Sequence, residues 1–209
     1  YFVGMARTKL MIPTFITTLA LWSALRGYSL FITEGRPIAI SNKPFRYFFG
    51  GDVLGLPTVT WIMLIVFLIF WFISKYTVLG TNIYAVGGNP KAARSIGLNV
   101  DRIKIITLMT TGLFSALVGI LFVARVSSGN STVGEGMEFD VIAAVVVGGT
   151  ALGGAIGTMT GTLLGVLFIA MISNGLIHWG IDPDLNKVVK GIIIFLAVVI
   201  NSNVTFKKN

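Results

Sequence analysis

The run VIAAVVVGGTALGGAIGTMTGTLLGVLFIAMISNGLIHWGI, residues 141–181, holds 41 residues without one Asp, Glu, Lys or Arg. A helix needs about 20 apolar residues to cross the hydrocarbon core of a bilayer, so the run is too long for one span. Its centre, GTALGGAIGT at 149–158, supplies a break. The expectation is a short span over 139–152 followed by a full one over 158–177. The rest of the chain agrees with a lipid environment: mean hydropathy is +0.87, 55% of residues are hydrophobic and only 11% are charged. A soluble domain averages about 25% charged residues.

Working outward, apolar runs predict further spans at 13–32, which holds only Arg26 as a charge, 59–74 and 105–124. Trp61, Trp71 and Tyr76 suit the membrane–water interfaces of the second of these. A last run, 188–200, is short unless Lys187 and Lys190 snorkel outward. The fold class read from the pattern is therefore all-α, a polytopic membrane protein with about six transmembrane helices, both ends on one side. Placing 1–11, 75–104, 153–157 and the tail in the cytoplasm gives nine basic residues inside against six outside, with Arg26 in a span. The net charge of +8 does not indicate nucleic acid, because the basic residues flank apolar runs and form no stripe.

One hydrophilic stretch, GTNIYAVGGNPKAARSIGLNVDRIK at 80–104, interrupts this pattern. Gly87 and Gly88 break what precedes, Asn89 is an N-cap, Pro90 suits the first helical position and Gly97 is a stop. A helix of about seven residues, 90–96, results, with Asp101 as the N-cap of the next. So short a helix is far below the ~12–15 residues at which isolated helices become marginal in water, so tertiary or partner contacts must hold it. A plain turn between two spans needs fewer caps than these.

Gly149, Gly153, Gly157, Gly161 and Gly165 recur at a stride of four. Within lipid, that spacing lets helix backbones approach, and Gly157, Gly161 and Gly165 are read as a packing groove. Gly112 and Ala116 repeat the pattern. Thr110, Thr111 and Ser115 on one span, and Ser173 and Asn174 on another, either line a polar path or act as interhelical glue, hydroxyls bonding back to the preceding turn. Arg26 is either a functional intramembrane cation or a snorkelling one. His178 beside Trp179 reads as interfacial.

Several chemistries have no residues to carry them. The chain has no GxxxxGK[ST] phosphate loop, one histidine and no cysteine, which argues against a nucleotide-hydrolysing or transition-metal centre. The acids lie in outer segments or at span ends, so an intramembrane carboxylate relay is not visible. The chain opens on Tyr1 with a few apolar residues before Arg7, and it reads as the C-terminal part of a longer membrane domain.

The strings IYAVGGNPKAARSIGLNVDRIKI (83–105), GLFSALVGILFVARVSSG (112–129) and EFDVIAAVVVGGTALGGAIGTMTGTLLG (138–165) closely resemble the permeases of ribose-, xylose- and galactose-type ATP-binding-cassette importers. RTKLMIPTFITTLALWSALRG at the start and VVKGIIIFLAVVINS at the end extend the resemblance to nearly the whole chain. It implies a ten-helix permease of which the last six are seen here, a single transmembrane domain with 80–104 as its cytoplasmic coupling segment, pairing as a dimer in a bacterial inner membrane. It also implies an external sugar-binding protein, which Glu135 and Glu138 could meet, although acids there also suit a helix start. Two cytoplasmic ATPase subunits would carry the ATP and Mg, leaving this chain a transport subunit without a cofactor. The residues matching the ATPase-coupling element are Gly87, Gly88, Asn89, Pro90, Lys91, Ala92, Ala93, Arg94 and Gly97. Related permeases carry nucleosides, autoinducer-like furanosides or branched-chain amino acids, and a secondary carrier needs no ATPase; GGNPKAAR is the feature that separates the last from an importer.

Overall fold

In a computed structural model of the protein, residues 1–151, 153–182, 185, 188–193, 195 and 199 are described. They divide into two compact units, 1–69 with 93–133 and 70–92 with 134–209.

The first unit begins with α1 (Phe2–Lys9) and α2 (Thr14–Thr33), followed by β1 (Ile38–Ala39), α3 (Lys43–Gly50) and a two-residue hairpin, β2 (Asp52–Val53) with β3 (Leu56–Pro57). It includes the first part of α4 (Thr58–Tyr76). Later in the chain, α7 (Val100–Val126) is its longest helix, and β4 (Ser128–Gly129) pairs antiparallel with β1. Two glycines let other helices approach α7: a Cβ on Gly4 would lie 3.0 Å from Ile105 Cγ1, and one on Gly50 would lie 2.7 Å from the Ala124 carbonyl oxygen. A cluster of hydroxyls ties the end of α2 to the segment after β4. Ser131 Oγ lies 2.7 Å from Ser29 Oγ and 3.0 Å from Thr33 Oγ1.

The second unit takes the end of α4, then α5 (Val78–Gly88), α8 (Met137–Val147) and α9 (Met159–His178). Its core is small and closely packed: Ala143, Ala144 and Ile169 are buried, with Val147 and Ile193 against them. The α8–α9 contact is made backbone to backbone. A methyl on Gly161 would overlap the Gly148 carbonyl, and one on Gly165 would overlap the Ala144 carbonyl. Asp140, in the first turn of α8, forms an ion pair with Lys190, Nζ lying 2.7 Å from Oδ1 and 2.9 Å from Oδ2. The last apolar run reaches span length only if Lys190 snorkels outward, and a partner within its own unit holds Lys190 instead.

The all-α reading stands, but the number of spans does not. Among the described residues four helices are long and apolar enough to cross a bilayer: α2, α4, α7 and α9. The span expected at 139–152 is α8, only 11 residues long. At 1.5 Å per residue it reaches about 16 Å, against a hydrocarbon core of about 30 Å. It ends where Gly148 closes the last turn onto Ala144 and Gly149 takes a positive φ of 84°. The run expected at 188–200 lies partly outside the described residues, of which 188–193 are helical. Six crossings, which the resemblance to ten-helix permeases makes the last six, therefore give way to four candidate spans among the described residues.

The long helices contain few buried residues. None of the 19 residues of α4 is buried, and Leu68, Ile69 and Phe72 are at least half exposed. Apolar surface on that scale is what lipid or neighbouring transmembrane helices cover.

Candidate functional site

Residues 78–104 form a helix, a capped short helix and the start of a long one. Thr77 caps α5, its Oγ1 accepting from the Gly80 N–H at 3.2 Å. Gly87 and Gly88 do not break this helix as the sequence suggested. They form its last turn, which ends at Asn89. The reason for glycine there is a close approach: a Cβ on Gly87 would lie 3.1 Å from the Ala155 N, and one on Gly154 would overlap the Gly87 carbonyl. Tyr84, one turn earlier, donates its hydroxyl to the Gly157 carbonyl at 2.9 Å. The turn before α9 is thus seated directly on α5. It is a tight turn, with Ala155 at φ 65° and the Ala151 N–H donating to the Ile156 carbonyl at 2.9 Å. A non-glycine residue at positive φ persists only where its surroundings hold it.

The short helix α6 is Pro90–Ser95, ending one residue before the expected boundary, within the usual scatter of helix ends. The Asn89 Oδ1 accepts from the N–H groups of Lys91 at 3.1 Å and Ala92 at 3.0 Å. At the other end Gly97 has φ 85°, and the Leu98 N–H returns to the Ala93 carbonyl at 3.1 Å. Arg94 Nη2 lies 3.0 Å and 3.1 Å from the two carboxylate oxygens of Asp101. Asp101 is therefore not the cap of α7. That role is taken by Asn99, whose Oδ1 accepts from the Arg102 N–H at 3.0 Å, and Asp101 sits in the first turn, where its charge also favours the positive helix end.

Burial separates the two sides of α6. Ala93 is 3% exposed and Lys91, Ala92 and Arg94 are exposed, so Ala93 belongs to the chain's own packing. Ile96, 75% exposed, is an apolar side chain beside the cap that sequence reasoning did not single out.

A family model described as "Branched-chain amino acid transport system / permease component" matches residues 1–198. The chain belongs to this permease family. It is 48% identical over 190 residues to the probable ABC transporter permease protein YphD of Escherichia coli (strain K12), covering 91% of this chain and 57% of that protein. It is 43% identical over 203 residues to the ribose import permease protein RbsC of the same organism, covering 95% and 63%. To the L-arabinose transport system permease protein AraH it is 35% identical over 196 residues, covering 94% and 60%. The chain thus spans about three-fifths of the length of these relatives. No solved structure matches.

In this permease component the residues considered for a polar path do not form one group. Arg26, Thr110, Thr111 and Ser115 lie in the first unit and Ser173 and Asn174 in the second. Thr110 and Thr111 donate to the carbonyls of Ile106 and Thr107 at 2.9 Å and 3.0 Å, satisfying their hydroxyls within α7. The Arg26 guanidinium stands 5.3 Å from the Trp22 ring centroid, one helical turn back. Gly157 precedes α9, and a Cβ there would meet the Thr150 side chain at 2.8 Å, so the helical part of the ridge is Gly161 and Gly165. Among the described residues a Cβ on Gly112 would meet nothing within 4 Å, so that glycine makes no close contact with them. Among the described residues no three His, Asp or Glu side chains cluster as a metal site would need.

Proposed function

We propose that the chain is a membrane-spanning permease subunit of an ATP-binding-cassette importer of simple sugars, in the inner membrane, with α6 as the element that a cytoplasmic ATPase engages. The observation that carries this reading is α6 itself. Six residues cannot hold a helix in water, yet this one is fixed by a side-chain cap, a positive-φ glycine stop and a contact from one Arg94 nitrogen to both Asp101 oxygens. Such investment in an exposed element is consistent with a surface that must keep its shape for a partner. Gly87 and Tyr84 then link the segment before α6 to the turn that begins α9, giving a pushed coupling segment a stiff route into the bundle.

The sugar assignment rests on the relatives' names, ribose and L-arabinose. The family description, which names branched-chain amino acids, keeps those as the second substrate class. The proposal includes a second permease subunit and an external binding protein. Uptake of radiolabelled pentoses, hexoses and leucine into vesicles, with the binding protein outside and ATP inside, tests it. ATP-dependent uptake of a pentose or hexose supports the reading. Uptake of leucine alone, or sugar uptake that needs no ATPase, overturns it.

A further inference from the structure

Far along α7 from the coupling segment lies an open surface depression of about 310 Å³, lined by the exposed Lys43, Arg46, Tyr47 and Gly50 of α3 and by Ala124, the exposed Arg125 and Ser127. The α3 residues stand at i, i+3, i+4 and i+7, so they share one helix face. Gly50 lets that face close onto α7, since any Cβ would press on the Ala124 carbonyl. Three exposed cations therefore line one open depression, and among the described residues no carboxylate lines it. The ion pairs described for the chain's other basic residues, Arg94–Asp101 and Lys190–Asp140, lie elsewhere.

Like charges gathered in this way repel unless an anion sits among them. Two guanidinium groups offer planar paired donors that match phosphate oxygens, and the Tyr47 and Ser127 hydroxyls add two more. The volume is at the lower end for ligand pockets, suiting a small anionic group. Location narrows the source. The 27 residues of α7 extend about 40 Å, the thickness of a bilayer with its headgroup regions, and the depression lies at the C-terminal end of that helix. Beside it Phe48 is 68% exposed and Val126 52% exposed, apolar surface that lipid could cover.

We propose that Lys43, Arg46 and Arg125 form a binding site for a phosphate-bearing group, supplied by the headgroup of an anionic phospholipid. The site does not depend on the transport reading above. The test is native mass spectrometry of the full chain in detergent with dioctanoyl phosphatidylglycerol, dioctanoyl phosphatidylcholine or inorganic phosphate. Phosphatidylglycerol should bind in preference to phosphatidylcholine. At about fivefold per cation near a surface, the Arg46→Gln/Arg125→Gln pair should weaken it about 25-fold. Arg36→Gln/Arg102→Gln, which removes the same two charges at basic positions outside the depression, should leave binding unchanged and controls for net charge. Inorganic phosphate that binds alone and is lost in the double variant also supports the site and makes free phosphate its source. Equal binding of both lipids, or phosphatidylglycerol binding as tight in the double variant as in the parent, overturns the proposal. So does a depression that takes up neither phosphate nor lipid.

Discussion

Gly165→Ala is the smallest change that tests whether the α8–α9 contact holds the second unit together. The added methyl would fall on the Ala144 carbonyl and 2.9 Å from the Gly148 N, both backbone atoms that cannot rotate away. The helices must therefore separate, and overpacking of this kind costs about 1–3 kcal/mol, here toward the upper end. Alanine recovers about 1 kcal/mol of helix propensity, leaving a net loss of about 2 kcal/mol. Gly175→Ala provides the comparison on the same helix, because a Cβ there meets nothing within 4 Å and only the propensity gain remains. The two variants should differ by about 3 kcal/mol, a factor of more than 100 in the folded population. Equilibrium unfolding in mixed detergent micelles measures that difference. If Gly165→Ala were as stable as Gly175→Ala, the backbone contact would not be a stability determinant.

Three further predictions follow from the site. Ala92→Asp, on the exposed side of α6, should leave unfolding midpoints unchanged and abolish ATPase association, whereas Ala93→Asp buries an unpaired charge and should destabilise the chain itself; equal thermal shifts in the two would refute the assignment of sides. Tyr84→Phe removes one hydrogen bond to Gly157 and should cost about 0.5–1.5 kcal/mol, read by hydrogen exchange slowing less at residues 153–157 than in the parent; unchanged exchange there would mean that the hydroxyl does not secure the turn. Cysteines at Lys91 and Lys43 should react with an impermeant maleimide from opposite faces of the membrane, since α4 alone crosses between them; labelling of both from one face would remove α4 from the spans.

The amino-acid sequence determined the elements whose signals are local. A long apolar run is insoluble as anything but a buried or lipid-facing helix, so α4, α7 and α9, and α2 with Arg26 inside it, could be read directly. The same holds for α6, because Asn89, Pro90 and Gly97 act on their own neighbours within a few residues. Glycine defeated this kind of reading, since one residue type serves three purposes. Gly149 stops a helix, Gly165 admits a neighbouring carbonyl and Gly87 seats a turn 67 residues away in the chain. Hydropathy could not tell that α8 stops after 11 residues, as its apolar run continues beyond the stop. Nor could it pair Asp140 with Lys190 or bring Arg125 to Lys43 and Arg46, because each partner lies tens of residues distant. Those meetings are fixed by which helix faces pack, and the tertiary structure alone decides that.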